Sequence, residues 1–164
     1  MEAKGWPLFG WYVWDKGAGL LGEWNGRLAP SHEFVFHFNR DGGSHARKWV
    51  KTHTAANSHK TFRQRDGTLR EATSPDKIGQ AWKIPDSVIR VGVHHGADSG
   101  HPAMFSVEFA SFLCQTWTDA DDVILDPFLG SGTMLIACEK LDRICYGMEI
   151  EPRYVQVAIE RWQN

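Results

Sequence analysis

The chain has 164 residues, 42% of them hydrophobic, and a formal net charge of -2 at pH 7. That is enough apolar material for the core of one domain and an ordinary globular composition. No run of about 18 apolar residues is present to span a bilayer, and the first residues lack a charged-then-apolar secretory pattern, so the expected location is the cytoplasm.

In chain order, "WYVW" (11 to 14) and "EFVFHF" (33 to 38) are aromatic and β-branched runs bounded by turn residues, which predicts two strands. The glycine-rich stretch between them predicts a loop. Residues 104 to 117, "MFSVEFASFLCQTW", place Phe105, Phe109, Phe112 and Leu113 at helical spacing. Then "DDVILDPF" predicts a buried strand, "GTMLIACEKL" a helix and "ICYGMEI" a second strand ending at Glu149. A last helix, "PRYVQVAIERW", has Pro152 in its first turn and Tyr154, Val155, Ala158, Ile159 and Trp162 on one face. Residues 123 to 162 thus predict a strand–helix–strand–helix unit. The three cysteines, Cys114, Cys138 and Cys145, are odd in number, widely spaced and set among apolar residues. Buried free thiols suit that pattern better than disulfides or metal ligands.

Charge is unevenly spread. Residues 40 to 90 hold 11 basic and 5 acidic groups, whereas residues 91 to 164 hold 4 and 11. The basic stretch has scattered glycine and proline and no sustained periodicity, so it reads as an irregular insert. Its Lys and Arg side chains suit contact with a phosphate backbone, and a solvated surface excursion explains the same charge equally well. Arg47, Lys48, Lys51, Arg63 and Arg65 are the candidate phosphate contacts, and Trp49 and Trp82 the candidate stacking residues. His45, His53, His59, His94 and His95 have no regular metal spacing with the cysteines and read as surface or phosphate contacts, so no metal is expected.

The most informative stretch is "VILDPFLGSGTMLIACEKL", 123 to 141. A parallel strand that ends in a glycine turn and feeds a helix creates a ligand position at the carboxyl edge of an α/β sheet. Gly130 and Gly132 would let backbone amides approach a ligand. The dinucleotide fingerprint needs a third glycine where Leu135 stands, and the phosphate-cradling Gly-Lys-Ser/Thr ending is absent. A nucleoside site remains, with Glu149 placed 23 positions after Asp126 to accept hydrogen bonds from ribose hydroxyls. Singly, each carboxylate also fits a helix-cap or turn role.

"DPFLGSGT" (126 to 133) followed by "YGMEIEPRYVQVA" (146 to 158) resembles motifs I and II of S-adenosylmethionine-dependent DNA amino-methyltransferases, which modify adenine N6 or cytosine N4. "HPAMFSVEF" (101 to 109) resembles their motif X, and residues 11 to 40 resemble the strand–loop–strand region before the target-recognition segment. This order matches the permuted subgroup in which motifs X and I come last. The resemblance implies a partial Rossmann-like α/β methyltransferase fold, with an open, mostly parallel sheet, flanking helices and a basic insert. It divides the chain into a strand–loop–strand part of the sheet (1–39), a target-recognition-like insert (40–100) and a cofactor-binding unit (101–164). It implies that Asp126, Pro127, Phe128, Gly130, Gly132 and Thr133 line S-adenosylmethionine and that Glu149 holds its ribose. His101, Pro102, Ala103, Met104 and Phe105 would hold its methionine moiety. Ser106 stands where the family usually has proline, and a serine there can cap the following helix.

The family's acceptor loop, a polar residue followed by two prolines and an aromatic that stacks on the flipped base, has no counterpart here. The prolines, at 7, 30, 75, 85, 102, 127 and 152, are all isolated. In the permuted order that loop precedes the first residue of this sequence, so the resemblance implies a portion whose catalytic half is supplied by another polypeptide, by a homo-oligomer or lost by truncation. Its central strand would then be left uncovered, an association hazard. Methylation of an exocyclic amine in double-stranded DNA is the expected activity, low for this chain alone. The alternatives are a non-catalytic DNA-binding remnant and a small-molecule or RNA methyltransferase sharing the nucleoside site.

Overall fold

The computed structural model describes residues 5–17, 19, 21–40, 45–51, 61–71, 81–92 and 105–163. It is a mixed α/β arrangement in which one helix joins two small sheets. Strand β1 (Leu8–Asp15) pairs antiparallel with β2 (His32–Phe38), from Leu8 opposite Phe38 to Asp15 opposite His32. The inserted segment contributes β3 (Val50–Lys51) to β6 (Trp82–Lys83), in two antiparallel pairs, β3 with β6 and β4 (Thr61–Arg63) with β5 (Leu69–Glu71). Strand β7 (Val88–Arg90) returns to the first sheet and runs parallel to β1, with Trp14 opposite Ile89. The expected irregular insert is therefore partly ordered into ribbons, and its last described residues belong to the sheet rather than to an excursion. The second sheet pairs β8 (Val123–Asp126) with β9 (Ile144–Gly147) in parallel, Asp126 opposite Gly147.

Helix α1 (Val107–Trp117) starts at Ser106, whose hydroxyl accepts the N–H of Phe109 at 3.2 Å. This is the cap expected of a serine at that position, a contact of about 1 kcal/mol. One side of α1 packs on the first sheet: Phe109 stacks on Trp14 with ring centroids 4.2 Å apart, beside the buried Ile89. The indole N–H of Trp14 donates to the Val91 carbonyl at 2.8 Å, tying the segment after β7 to the same core. The other side presents Ala110 and Cys114 to Ala137 and Cys138 of α2 (Thr133–Glu139), with Ile124 and Cys145 of the second sheet packed against them. Helix α3 (Pro152–Gln163) lies along α2 through Ala158.

Alternation along the strands leaves the β2–β1–β7 sheet and the β8–β9 pair each with one covered face. Val123, Leu125, Ile144 and Tyr146 lie on the other face of the β8–β9 pair, and Trp11, Phe34 and Phe36 on the other face of the first sheet, all exposed. The expected apolar face of α3 is divided: Ala158 is buried and Tyr154 half-buried, whereas Val155, Ile159 and Trp162 form an exposed stripe.

All three cysteines are free, Cys114 and Cys138 buried and Cys145 half-buried. Burial pushes their thiols up, Cys138 to about 11 and Cys145 to about 12, with Cys114 also raised. Because the thiolate is the nucleophile, the native protein is expected to react with an aromatic disulfide reagent at pH 8 far more slowly than the denatured chain. Fast stoichiometric labelling of native protein would contradict this packing. Among the described residues no helix is long and apolar enough to cross a membrane.

Candidate functional site

Asp126 ends β8, and its Oδ1 accepts the N–H of Phe128 at 3.0 Å across Pro127, which has no N–H of its own. The chain then crosses to the neighbouring strand: Leu129 N–H donates to the Met148 carbonyl and Met148 N–H to the Asp126 carbonyl, each at 2.9 Å. Glu149 lies two residues beyond the end of β9, in the β9–α3 turn, not at the strand terminus as its sequence context suggests. Its Oε2 accepts the Gly130 N–H at 2.8 Å and its Oε1 the Glu151 N–H at 2.9 Å. One carboxylate thus links the glycine turn to the start of α3, and both acidic residues stand at the carboxyl edge of adjacent strands, which lie about 4.8 Å apart.

The glycines have different causes. Gly130, at φ 55°, gives its N–H to Glu149. Gly132 is buried at φ 83°, its N–H donates to the Leu129 carbonyl, and a Cβ there would stand 2.8 Å from the Ala158 Cβ. Its missing side chain therefore admits α3, where the sequence pattern suggested the approach of a ligand. From the last turn of α3, Arg161 donates to the Ser131 carbonyl at 2.7 Å and to its hydroxyl at 2.9 Å, fixing the turn from behind. Thr133 is buried at the start of α2.

Two large apolar side chains flank this polar edge almost fully in solvent, Phe128 at 87% and Ile150 at 97%. Ile150 was not singled out from the sequence. The available signal was its place directly after a carboxylate at a strand edge, where an apolar residue has no core to enter. Of the residues assigned to the methionine end, His101, Pro102, Ala103 and Met104 lie outside the described residues. Phe105 packs into both core clusters, with its ring edge-on to Phe109 at 5.8 Å.

The basic insert separates in the same way. Arg47 donates to the Asp119 carboxylate at 2.7 Å and to the Trp117 carbonyl at 2.8 Å, while its own N–H donates to the Thr116 carbonyl. The hydrogen bond with Asp119 raises the guanidinium pKa and lowers that of the carboxyl. Trp49 donates to the Thr116 hydroxyl at 3.2 Å and meets Phe112 edge-on. Both residues fasten the insert to the end of α1. Lys48, Lys51, Arg63 and Arg65 are exposed, as is Trp82, which lies opposite Lys51 in the β3–β6 pair, and His45. His53, His59, His94 and His95 lie outside the described residues. Arg47→Ala should therefore lower the melting temperature and leave the salt dependence of any DNA binding unchanged. Lys51→Ala should do the reverse, reducing the salt slope by about 1. A salt slope altered by Arg47→Ala alone would contradict the anchoring role.

A cleft of about 320 Å³ between Trp49, Val91, α1 and Lys140 contains none of the strand-edge residues. Among the described residues no cluster of His, Cys, Asp or Glu is arranged to hold a metal ion.

The DNA methylase family model matches residues 1–160. Type II methyltransferase M.XycI of Xanthomonas campestris pv. cyanopsidis is 27% identical over the whole of this chain, which covers 47% of that relative. Type II methyltransferase M.Cfr9I of Citrobacter freundii is 28% identical, again with 47% covered, so the chain spans about half the length of the curated relatives it matches. The solved M1.HpyAVI–SAM complex superposes with a TM-score of 0.67 at 20% identity, over 98% of this chain and 65% of that one. That likeness shows a shared fold.

Proposed function

The chain belongs to the DNA methylase family, and on that premise we propose that it forms the cofactor-binding and target-recognition portion of a DNA amino-methyltransferase. The observation that carries this reading is the strand-edge cluster. Asp126 and Glu149 bracket a glycine turn that both orders and exposes, and Phe128 and Ile150 offer apolar surface beside them. Carboxylates at strand ends suit ribose hydroxyls, and flanking apolar side chains suit the faces of a base.

These residues fit S-adenosylmethionine. Glu149 would hold the ribose, Asp126 and Gly130 would border the adenosine, and Pro127, Phe128 and Ile150 would limit its movement. Gly132, Thr133 and Arg161 would act from behind by keeping the turn in register. When bound, S-adenosylmethionine supplies a methyl group carried on a sulfonium. The chain's own contribution is to bind and orient, which lowers the entropic part of the barrier to transfer. The transfer target we propose is the exocyclic amine of adenine (N6) or cytosine (N4) in double-stranded DNA.

Val123, Leu125, Ile144 and Tyr146 form one exposed apolar face beside the cofactor edge, and contiguous apolar surface of this kind marks interaction sites. A second polypeptide, or a further part of a longer protein, is the cover we propose for it, supplying the acceptor for the amine proton.

Equilibrium dialysis with radiolabelled S-adenosylmethionine tests the cofactor assignment. Saturable binding displaced by S-adenosylhomocysteine and not by NAD is expected. Displacement by NAD at equal concentration, or no saturable binding, would contradict it.

A further inference from the structure

Among the described residues, β4 and β5 pair only with each other. Thr61 lies opposite Glu71 and Arg63 opposite Leu69, closing a loop of Arg65, Asp66 and Gly67. The Gln64 N–H donates to the Thr68 carbonyl at 2.8 Å, the Gly67 N–H donates to the Gln64 carbonyl at 2.9 Å, and Gly67 adopts φ 85°. That is a type I turn completed by a left-handed glycine, a common three-residue hairpin loop. Asp66 locks it: one carboxylate oxygen accepts both the Thr68 N–H at 2.9 Å and the Thr68 hydroxyl at 2.7 Å. These hydrogen bonds lower the Asp66 pKa, so the exposed acid at the tip stays ionised and engaged with Thr68. Arg63, Gln64, Arg65 and Leu69 remain exposed, Leu69 at 68%. No hydrogen bond or ion pair joins the side chains of Arg63, Gln64 or Arg65 to another described residue.

A two-stranded hairpin by itself is marginal in water, and this one has a tip held by four hydrogen bonds. Rigid tips are useful where side chains must arrive in a set geometry. A two-stranded ribbon fits the major groove of duplex DNA, where an Arg fork matches guanine O6 and N7 and a Gln amide matches adenine N6 and N7. Residues 40 to 90, which contain the hairpin, carry 11 basic against 5 acidic groups, the complement of a phosphate-lined groove. We propose that the β4–β5 hairpin enters the DNA major groove and that Gln64 and Arg65 at its tip read base edges. Arg65 is then a specificity-determining residue and not one more phosphate contact. This rests on the DNA-modifying reading above.

The test is selection of bound sequences from a random 20-base-pair duplex library, carried out with the parent chain and with Arg65→Lys, Arg65→Ala and Gln64→Ala. Binding to the best selected duplex is then measured across salt concentrations, and melting temperatures confirm folding. The parent should enrich a defined sequence. Arg65→Lys should lose the preference at one base pair and bind the best duplex about 10-fold or more weakly while keeping the salt slope, since Lys retains the charge and lacks the fork. Gln64→Ala should relax a neighbouring base pair. Variants that enrich the parent's sequence unchanged would overturn the hairpin assignment and leave the DNA reading intact. So would an Arg65→Lys variant with parental affinity together with an Arg65→Ala variant weakened equally on all sequences with a salt slope reduced by about 1, the mark of a phosphate contact. A parent that binds S-adenosylmethionine and enriches no sequence overturns the inference together with the DNA reading on which it rests.

Discussion

Gly132→Ala is expected to lower the melting temperature by on the order of 10 °C and to abolish measurable cofactor binding near that lowered transition. The added Cβ would stand 2.8 Å from the Ala158 Cβ and 3.1 Å from its Cα, so the obstacle includes backbone that no rotamer change can remove. The φ of 83° adds the left-handed strain of about 1 to 2 kcal/mol that a side chain meets there. Overpacking at such a contact costs about 1 to 3 kcal/mol, against a total stability of about 5 to 15 kcal/mol for a domain. Relief must push α3 away from α2, and with it the Arg161 contact that holds Ser131. Ala158→Gly in the same chain should restore part of the loss through the steric component alone. Scanning calorimetry of the four members of that cycle measures the coupling. Additive effects would mean that Gly132 is needed only for its backbone angle.

Glu149→Ala should weaken S-adenosylmethionine binding by about 100-fold or more, with a smaller effect on folding. Hydrogen bonds to a charged carboxylate are worth about 1.5 to 3 kcal/mol each, and loss of two towards ribose hydroxyls accounts for a change of that size. The same substitution releases the N–H groups of Gly130 and Glu151. Glu151 is exposed, where water can replace the lost acceptor, and Gly130 is half-buried. Glu149→Gln keeps one acceptor oxygen and removes the charge, so its affinity should fall between those of the parent and the alanine variant. Calorimetric titration ranks the three. Equal affinities for parent and Glu149→Ala would remove this residue from the site.

The C-terminal half of the fold was readable because its signals are local. A short apolar run ending in Asp126, two glycines, a helical repeat and Pro152 each act within a few residues of themselves, and β8, α2, β9 and α3 follow in that order, although β9 ends at Gly147 rather than Glu149 and β8 keeps Val123 and Leu125 exposed where a buried strand was expected. Ser106 is a further local case, since a cap is decided within one turn. The order of motifs carried the family, whose model matches residues 1–160.

What escaped the sequence depends on partners far along the chain. Arg47 reads as one cation among many until Asp119 and the carbonyl of Trp117 meet it, 72 and 70 residues away. Trp49 reads as a stacking residue until Phe112 and Thr116 enclose one side of it. Strand β7 is too short to show a period, and its place beside β1 comes from a parallel pairing 75 residues apart, Val13 with Val88. Gly132 was legible as a glycine the fold needs, but the reason, an approach by Ala158, lies on another helix. Helix α3 shows the converse: its apolar spacing was visible, yet spacing alone does not reveal that Val155, Ile159 and Trp162 face solvent in this chain.

Under the proposed function, the strand edge formed by residues 126 to 133 and 148 to 151 holds the adenosine part of S-adenosylmethionine. An amide chemical-shift titration of the isotopically labelled chain measures this directly. Saturable shifts concentrated at Phe128, Gly130, Glu149 and Glu151 are expected, with the Gly130 amide moving most because its acceptor, Glu149, is shared with the ligand. Saturable shifts confined to the cleft beside Trp49 and Lys140, with those four amides unmoved, would contradict it.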